Sequence, residues 1–229
     1  MLDFLLFNAS HTKPLSYKAN KHSLAMKPLK YRAFLKIAGL DGILIPIIAF
    51  IFIFIAIALY PPFNWANNAL SDLGVVAGLT SGLFNAGLII TGVWAMVFAV
   101  GLLIKFYKNR LGQAGAFVFA LACLALILIG IFNESFVPTH YLVSVAFFVL
   151  LPISLFIVTT AFAVARKTRN AVFTIAIAFA AALPWILYFT LHYAPNVAIP
   201  EFVSALAGSV WTVVLGYQMI KEANKAETA

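Results

Sequence analysis

The sequence predicts an all-α, polytopic membrane protein: six transmembrane helices in one bundle, with both termini cytoplasmic. Three observations predict it. Of 229 residues, 64% are hydrophobic and 10% charged, against about 45–50% and about 25% in a soluble domain. The apolar residues fall in six continuous runs, each long enough to cross ~30 Å of hydrocarbon as a helix. All 15 Lys and Arg are confined to the termini and to two of the links between runs. A barrel is excluded because the runs do not alternate every second residue. Backbone in lipid must satisfy its own hydrogen bonds, so each run is a helix.

Residues 1–33 form a basic extension with Lys13, Lys18, Lys21, Lys27, Lys30 and Arg32. Its apolar start, Leu2 to Phe7, is too short for a signal peptide. No apolar periodicity ties residues 1–25 to a bundle, so the extension is expected to be mobile. Met26 leads directly into a basic flank and is an alternative start. Residues 34–220 carry the six helices, and 221–229 form a short cytoplasmic tail.

Helix one is expected over Phe34–Tyr60, with Pro46 as a kink. A long link follows, and Ser71 is expected to cap a short helix that starts at Asp72. Helix two is expected over Ser81–Ile104 and helix three over Leu111–Asn133. A short link holds Glu134 and Pro138. Helix four is expected over Thr139–Ala165, helix five over Ala171–Tyr193 and helix six over Glu201–Ile220. Small residues such as Gly82, Gly92, Gly101 and Gly115 predict close helix approach, a main source of packing energy where lipid competes with apolar side chains. Val137-Pro138 and Ile199-Pro200 echo each other ahead of helices four and six.

Charge sets the orientation. Lys and Arg number seven up to Lys36, three after helix two, three after helix four and two in the tail, and none lies in the three opposite links. The positive-inside rule then places the basic end in the cytoplasm of a cell-membrane protein, where it meets anionic lipid. Every basic residue is used this way, which leaves no separate patch for nucleic-acid phosphates. The single cysteine, Cys123, permits no internal disulfide.

The opposite end collects Ser71, Asp72, Asn85, Asn133, Glu134, His140, His192 and Glu201. Three of these are acids on a side with no Lys or Arg. Carboxylates near hydrocarbon need partners, hydration or protonation. Protonated His140 or His192, a divalent metal, or a partner subunit can meet that need. A metal would draw on His140, His192 and Asp72. No phosphate-binding loop, dinucleotide fingerprint, zinc-protease motif or nucleophile elbow occurs.

The segments Ser71-Asp72-Leu73-Gly74, Gly82-Leu83-Phe84-Asn85-Ala86-Gly87 and Gly130-Ile131-Phe132-Asn133-Glu134, leading to His140, resemble an uncharacterised prokaryotic, mainly archaeal, integral membrane family: domain-of-unknown-function family 998. The resemblance spans about Phe34 to Ile220. It implies a six-helix bundle and brings no assigned activity. A more distant similarity is to the ceramidase and adiponectin-receptor class of membrane hydrolases, which place a Ser, an Asp and three His around zinc at helix ends. This chain offers Ser71 and Asp72 but only His140 and His192 there, so a third ligand would have to be a carboxylate. The reading favoured at this level is a structural or accessory subunit of a membrane complex. The alternatives are a metal-dependent membrane lipid hydrolase and a small proton-coupled transporter.

Overall fold

A computed structural model describes residues 21–225, with side chains for 30–224. Among the described residues there is no strand. Six helices, α1 (Lys21–Ala58), α2 (Leu79–Lys105), α3 (Arg110–Ile131), α4 (Thr139–Val164), α5 (Thr168–Leu191) and α6 (Ala198–Lys225), carry the fold. Each contains a stretch long and apolar enough to span a membrane. The chain is a multi-pass membrane protein in contact with lipid.

The helix ends move from their expected positions for local reasons. α1 begins at Lys21, inside the stretch read as a mobile extension, although its apolar span starts only at Lys30. The rest of that extension, residues 1–20, lies outside the described residues, as do residues 226–229. α3 stops at Ile131 because Asn133 turns its side chain onto the backbone, where Oδ1 accepts from Ser135 N–H at 3.1 Å. α5 stops at Leu191 because His192 adopts a left-handed conformation (φ 48°), a common way to end a helix. The two apolar-Pro pairs differ in role: Val137-Pro138 precedes α4, while Pro200 lies inside the first turn of α6.

Each helix packs against its neighbours in sequence, and α6 returns to pack on α1. The six helices therefore close into a ring. Its centre is aromatic: Phe98, Phe119 and Trp211 meet with centroids 5.4–6.0 Å apart, within the favourable range for edge and tilted pairs. Trp211 is fully buried and its indole N–H donates to Thr174 Oγ1 at 3.3 Å.

Ring closure needs small residues at the crossings. A Cβ on Gly39 would lie 2.7 Å from the Gly216 carbonyl oxygen, and one on Gly216 would meet the Gly39 carbonyl. Here the α1 and α6 backbones touch, so only glycine fits. The links α2–α3 and α4–α5, the start of α1 and the end of α6 share the basic end, where Lys105 pairs with Glu222 and Tyr31 meets Tyr107 edge-on. The links α1–α2, α3–α4 and α5–α6 share the acidic end.

Inside the ring, α1, α2, α3, α4 and α6 enclose a mostly apolar chamber of about 120 Å³. A second, larger space lies on the flank. It is a groove of about 870 Å³ between α4 and α5 that begins at the acidic end. α5 is the least buried of the six helices, which leaves this flank open.

Candidate functional site at the acidic end

The α1–α2 link organises this end. Its polar residues fold it onto itself. Asn64 Oδ1 accepts from Ala66 N–H at 2.9 Å and Asn67 N–H at 3.1 Å, a local turn typical of Asn. Asp72 Oδ2 accepts from Asn68 Nδ2 at 2.6 Å and from Ala69 N–H at 3.0 Å. The chain then makes one 3-10 turn, Ser71–Gly74. Leu70 and Leu73 on this turn are buried and pack with Ile53, Ala56, Phe84 and Ala198. The short helix expected from Asp72 is thus a single tight turn that already begins at Ser71. Ser71 does not cap it; the Ser71 hydroxyl points the other way.

The folded link is joined to both neighbouring links. Asn196 N–H donates to Ala66 O and Ala198 N–H to Asn68 O, each at 3.0 Å. Leu70 N–H donates to Glu201 Oε2 at 2.6 Å, so a buried backbone donor and a buried carboxyl oxygen satisfy each other. The Ser71 hydroxyl donates to Glu134 Oε1 at 2.7 Å, tying the link to the α3–α4 connection. Asn85 works from below: its Nδ2 donates to Gly74 O at 2.9 Å. A Cβ on Gly74 would lie 2.6 Å from Asn85 Oδ1, so the glycine makes room for that contact.

His140 stands in the first turn of α4 and is largely buried. Its Nδ1 lies 2.7 Å from the Phe132 carbonyl oxygen. A carbonyl only accepts, so Nδ1 carries the proton and, in the neutral ring, Nε2 is the acceptor. Nε2 faces Ser144 Oγ at 3.4 Å and Glu134 Oε1 at 4.0 Å. Ser144 is one helical turn beyond His140, which puts both on one face.

Glu134 is half-buried, and that burial raises its carboxyl above the ordinary carboxylate range. The Ser71 hydrogen bond works against this by favouring the charged form. The neighbouring Asp72 raises it again through charge and a shared hydrogen bond, and His140 lowers it.

Ser71, Asp72, Glu134, His140, Ser144 and Glu201 line the head of the flank groove. Beyond them the walls are apolar. α4 supplies Val145, Phe148, Val149, Ile153 and Phe156, and α5 supplies Trp185, Tyr188 and Phe189. From His140 to Phe156 is sixteen residues of helix, about 24 Å, most of the ~30 Å hydrocarbon thickness. Val145, Val149, Ile153 and Phe189 are exposed on the surface that faces lipid. Trp185 is fixed there by its N–H to Ser204 Oγ at 3.0 Å, and Ser204 in turn donates to Ala181 O at 2.6 Å. Ser71, Ser144, Phe148 and Glu201 also line the interior chamber, so they form the wall between the two spaces.

Five of the eight residues expected at this site therefore meet at the groove head: Ser71, Asp72, Glu134, His140 and Glu201. Asn85 and Asn133 shape the backbone around it. His192 goes elsewhere. It is exposed at the end of α5 and does not line the groove. The expected metal set of His140, His192 and Asp72 is consequently not assembled, and among the described residues no three His, Cys, Asp or Glu converge as ligands. The physical reason is that His192 is used to terminate α5. Ser144 was not among the expected residues. The His-x-x-x-Ser spacing at 140 and 144 was the available signal, because i and i+4 share a helix face.

No curated protein and no solved structure matches the chain significantly. A family model does match, over residues 43–218, and this covers most of the chain, including every residue of the groove head. The chain belongs to that family, described as protein of unknown function (DUF998).

Proposed function

We propose that this membrane protein binds a single-headed membrane amphiphile in the α4–α5 groove, with a headgroup rich in hydrogen-bond donors at Asp72, Glu134 and His140 and its chain along α4. The observation that carries this reading is the groove itself: a polar, acidic head on an apolar wall about 24 Å long that opens toward lipid. Its volume, about 870 Å³, lies within the ~300–1,000 Å³ of small-molecule sites. Charge selects the head. The groove head presents three carboxyl groups, and the three links at this end contain no Lys or Arg. Hydroxyls or an amine are matched there, while a phosphate would be repelled. The groove supports a lipid-directed role ahead of a purely structural subunit, and it does so without the His140, His192 and Asp72 metal set.

Photo-crosslinking tests it. The full chain in nanodiscs would be exposed to a diazirine-bearing sphingoid base, which carries an amine and hydroxyls, and separately to a diazirine-bearing phosphatidic acid. The expected result is that the first probe labels α4 and α5 residues of the groove and the second labels them weakly. Val149→Trp, which fills the groove, should remove the labelling. Equal labelling of every lipid-facing helix, unchanged by Val149→Trp, would sink the reading.

A further inference from the structure

We infer that Ser144 is a nucleophile and His140 its general base, in acyl transfer from a lipid ester lying in the groove. The inference rests on the groove reading and adds chemistry to it. Three independent features of geometry carry it. First, the Phe132 carbonyl fixes the tautomer of His140, leaving Nε2 to accept a proton. Second, that nitrogen faces Ser144 Oγ at 3.4 Å. Nucleophile–base contacts are often this long before a substrate is bound. Third, the pair is reachable. Ser144 and His140 line the groove beside its apolar wall, and Ser144 borders the interior chamber too. Most polar groups deep in the bundle are closed off in backbone bonds, as Ser154 is to Leu151 O; Ser144 is turned to His140 instead. Glu134 Oε1, 4.0 Å from Nε2, stands where it stabilises an imidazolium.

The step balances. Ser144 Oγ attacks the ester carbonyl carbon as His140 Nε2 takes the hydroxyl proton. The bond from that carbon to the lipid alcohol oxygen breaks, and the imidazolium returns the proton to the departing alkoxide. Water then attacks the acyl-serine carbonyl, losing its proton to Nε2. The bond to Ser144 Oγ breaks and Oγ regains a proton. The products are a free alcohol and a fatty acid.

A lipophilic alkyl fluorophosphonate is the probe, used on the full chain in nanodiscs with the adduct read by intact mass and peptide mapping. The expected result is one adduct at Ser144. Ser144→Ala should abolish it, and His140→Ala should slow labelling by about a hundredfold, the scale of a lost general base. Ser144→Ala should melt at the wild-type temperature in the same detergent, which shows that the fold is intact. If the groove crosslinks but no adduct forms, or the adduct maps to another serine, the nucleophile inference is overturned and the binding reading stands. An adduct at Ser144 that forms at the same rate in His140→Ala overturns the role of the histidine. Loss of both crosslink and adduct in the wild-type chain overturns both readings.

Discussion

The Ser71 hydroxyl donates to Glu134 Oε1 at 2.7 Å, joining two links that are 63 residues apart in sequence. The bond holds a half-buried carboxyl against Asp72 and within 4.0 Å of His140. Stability should therefore depend on pH through Glu134. Its folded pKa lies above the unfolded value of about 4.3. A carboxyl raised in this way binds more protons folded than unfolded. The stability it contributes is full below about pH 4.3 and is lost as pH rises through the folded value. Thermal unfolding in detergent from about pH 4 to about pH 7 should show this decline. Glu134→Gln should make it shallower. Ser71→Ala removes a bond that favours the charged form, so it should move the decline to higher pH. An unchanged profile in Glu134→Gln would show that the carboxyl is freely solvated.

Glu201 should matter through its acceptor oxygen. Glu201→Leu leaves the buried Leu70 N–H without a partner, a loss of about 1–3 kcal/mol. Glu201→Gln keeps a carbonyl oxygen at the same place and should lose less. Denaturation midpoints, with limited proteolysis of the α1–α2 link, would separate the two. Equal losses would mean that charge, not the acceptor, holds the link.

Asp72 accepts from two neutral donors, Asn68 Nδ2 and Ala69 N–H, and not from a cation. Asp72→Asn retains an oxygen acceptor and should be mild, within about 1 kcal/mol, whereas Asp72→Ala removes both bonds and should cost about 1–3 kcal/mol. Melting of both variants in the same detergent gives the comparison. A loss of about 3–5 kcal/mol for Asp72→Asn, the scale of a broken buried charge pair, would mean that a cation is bound there.

The α1–α6 crossing leaves no space for a side chain. Gly216→Val should drive the helices apart and destabilise the bundle by about 1–3 kcal/mol or more, because the obstruction is the Gly39 backbone. Gly82→Ala, on the same ring but with open space around it, is the control and should be silent. Comparable melting of the two variants would contradict the close crossing.

The orientation expected from charge is open to a direct test. In a chain with Cys123 replaced, single cysteines at the exposed positions Asn67 and Ser135 should react with an impermeant maleimide on intact cells. Cysteines at the exposed positions Lys108 and Lys167 should react only after permeabilisation. The reverse pattern would invert the protein.

Within the membrane, sequence alone determined the helices, because lipid allows few alternatives to them and because apolar run length is a direct measure of bilayer thickness. Their number, their alternation and the gathering of acids at the end without Lys or Arg were all readable from residue order. Helix ends were less so, since the Asn133 side chain and the left-handed backbone at His192 settle them locally. The polar cluster was readable as a set of residues on one side of the bilayer, but not as contacts. Whether Ser71 would cap a helix or donate to Glu134 depended on a neighbour 63 residues away. The closing of α6 on α1 through Gly39 and Gly216, the lateral groove left by the sparsely packed α5, and the exclusion of His192 were decided only by tertiary structure. The reason is physical: spacing along one helix is periodic and local, whereas the distance between two helix ends is set by how six surfaces pack at once.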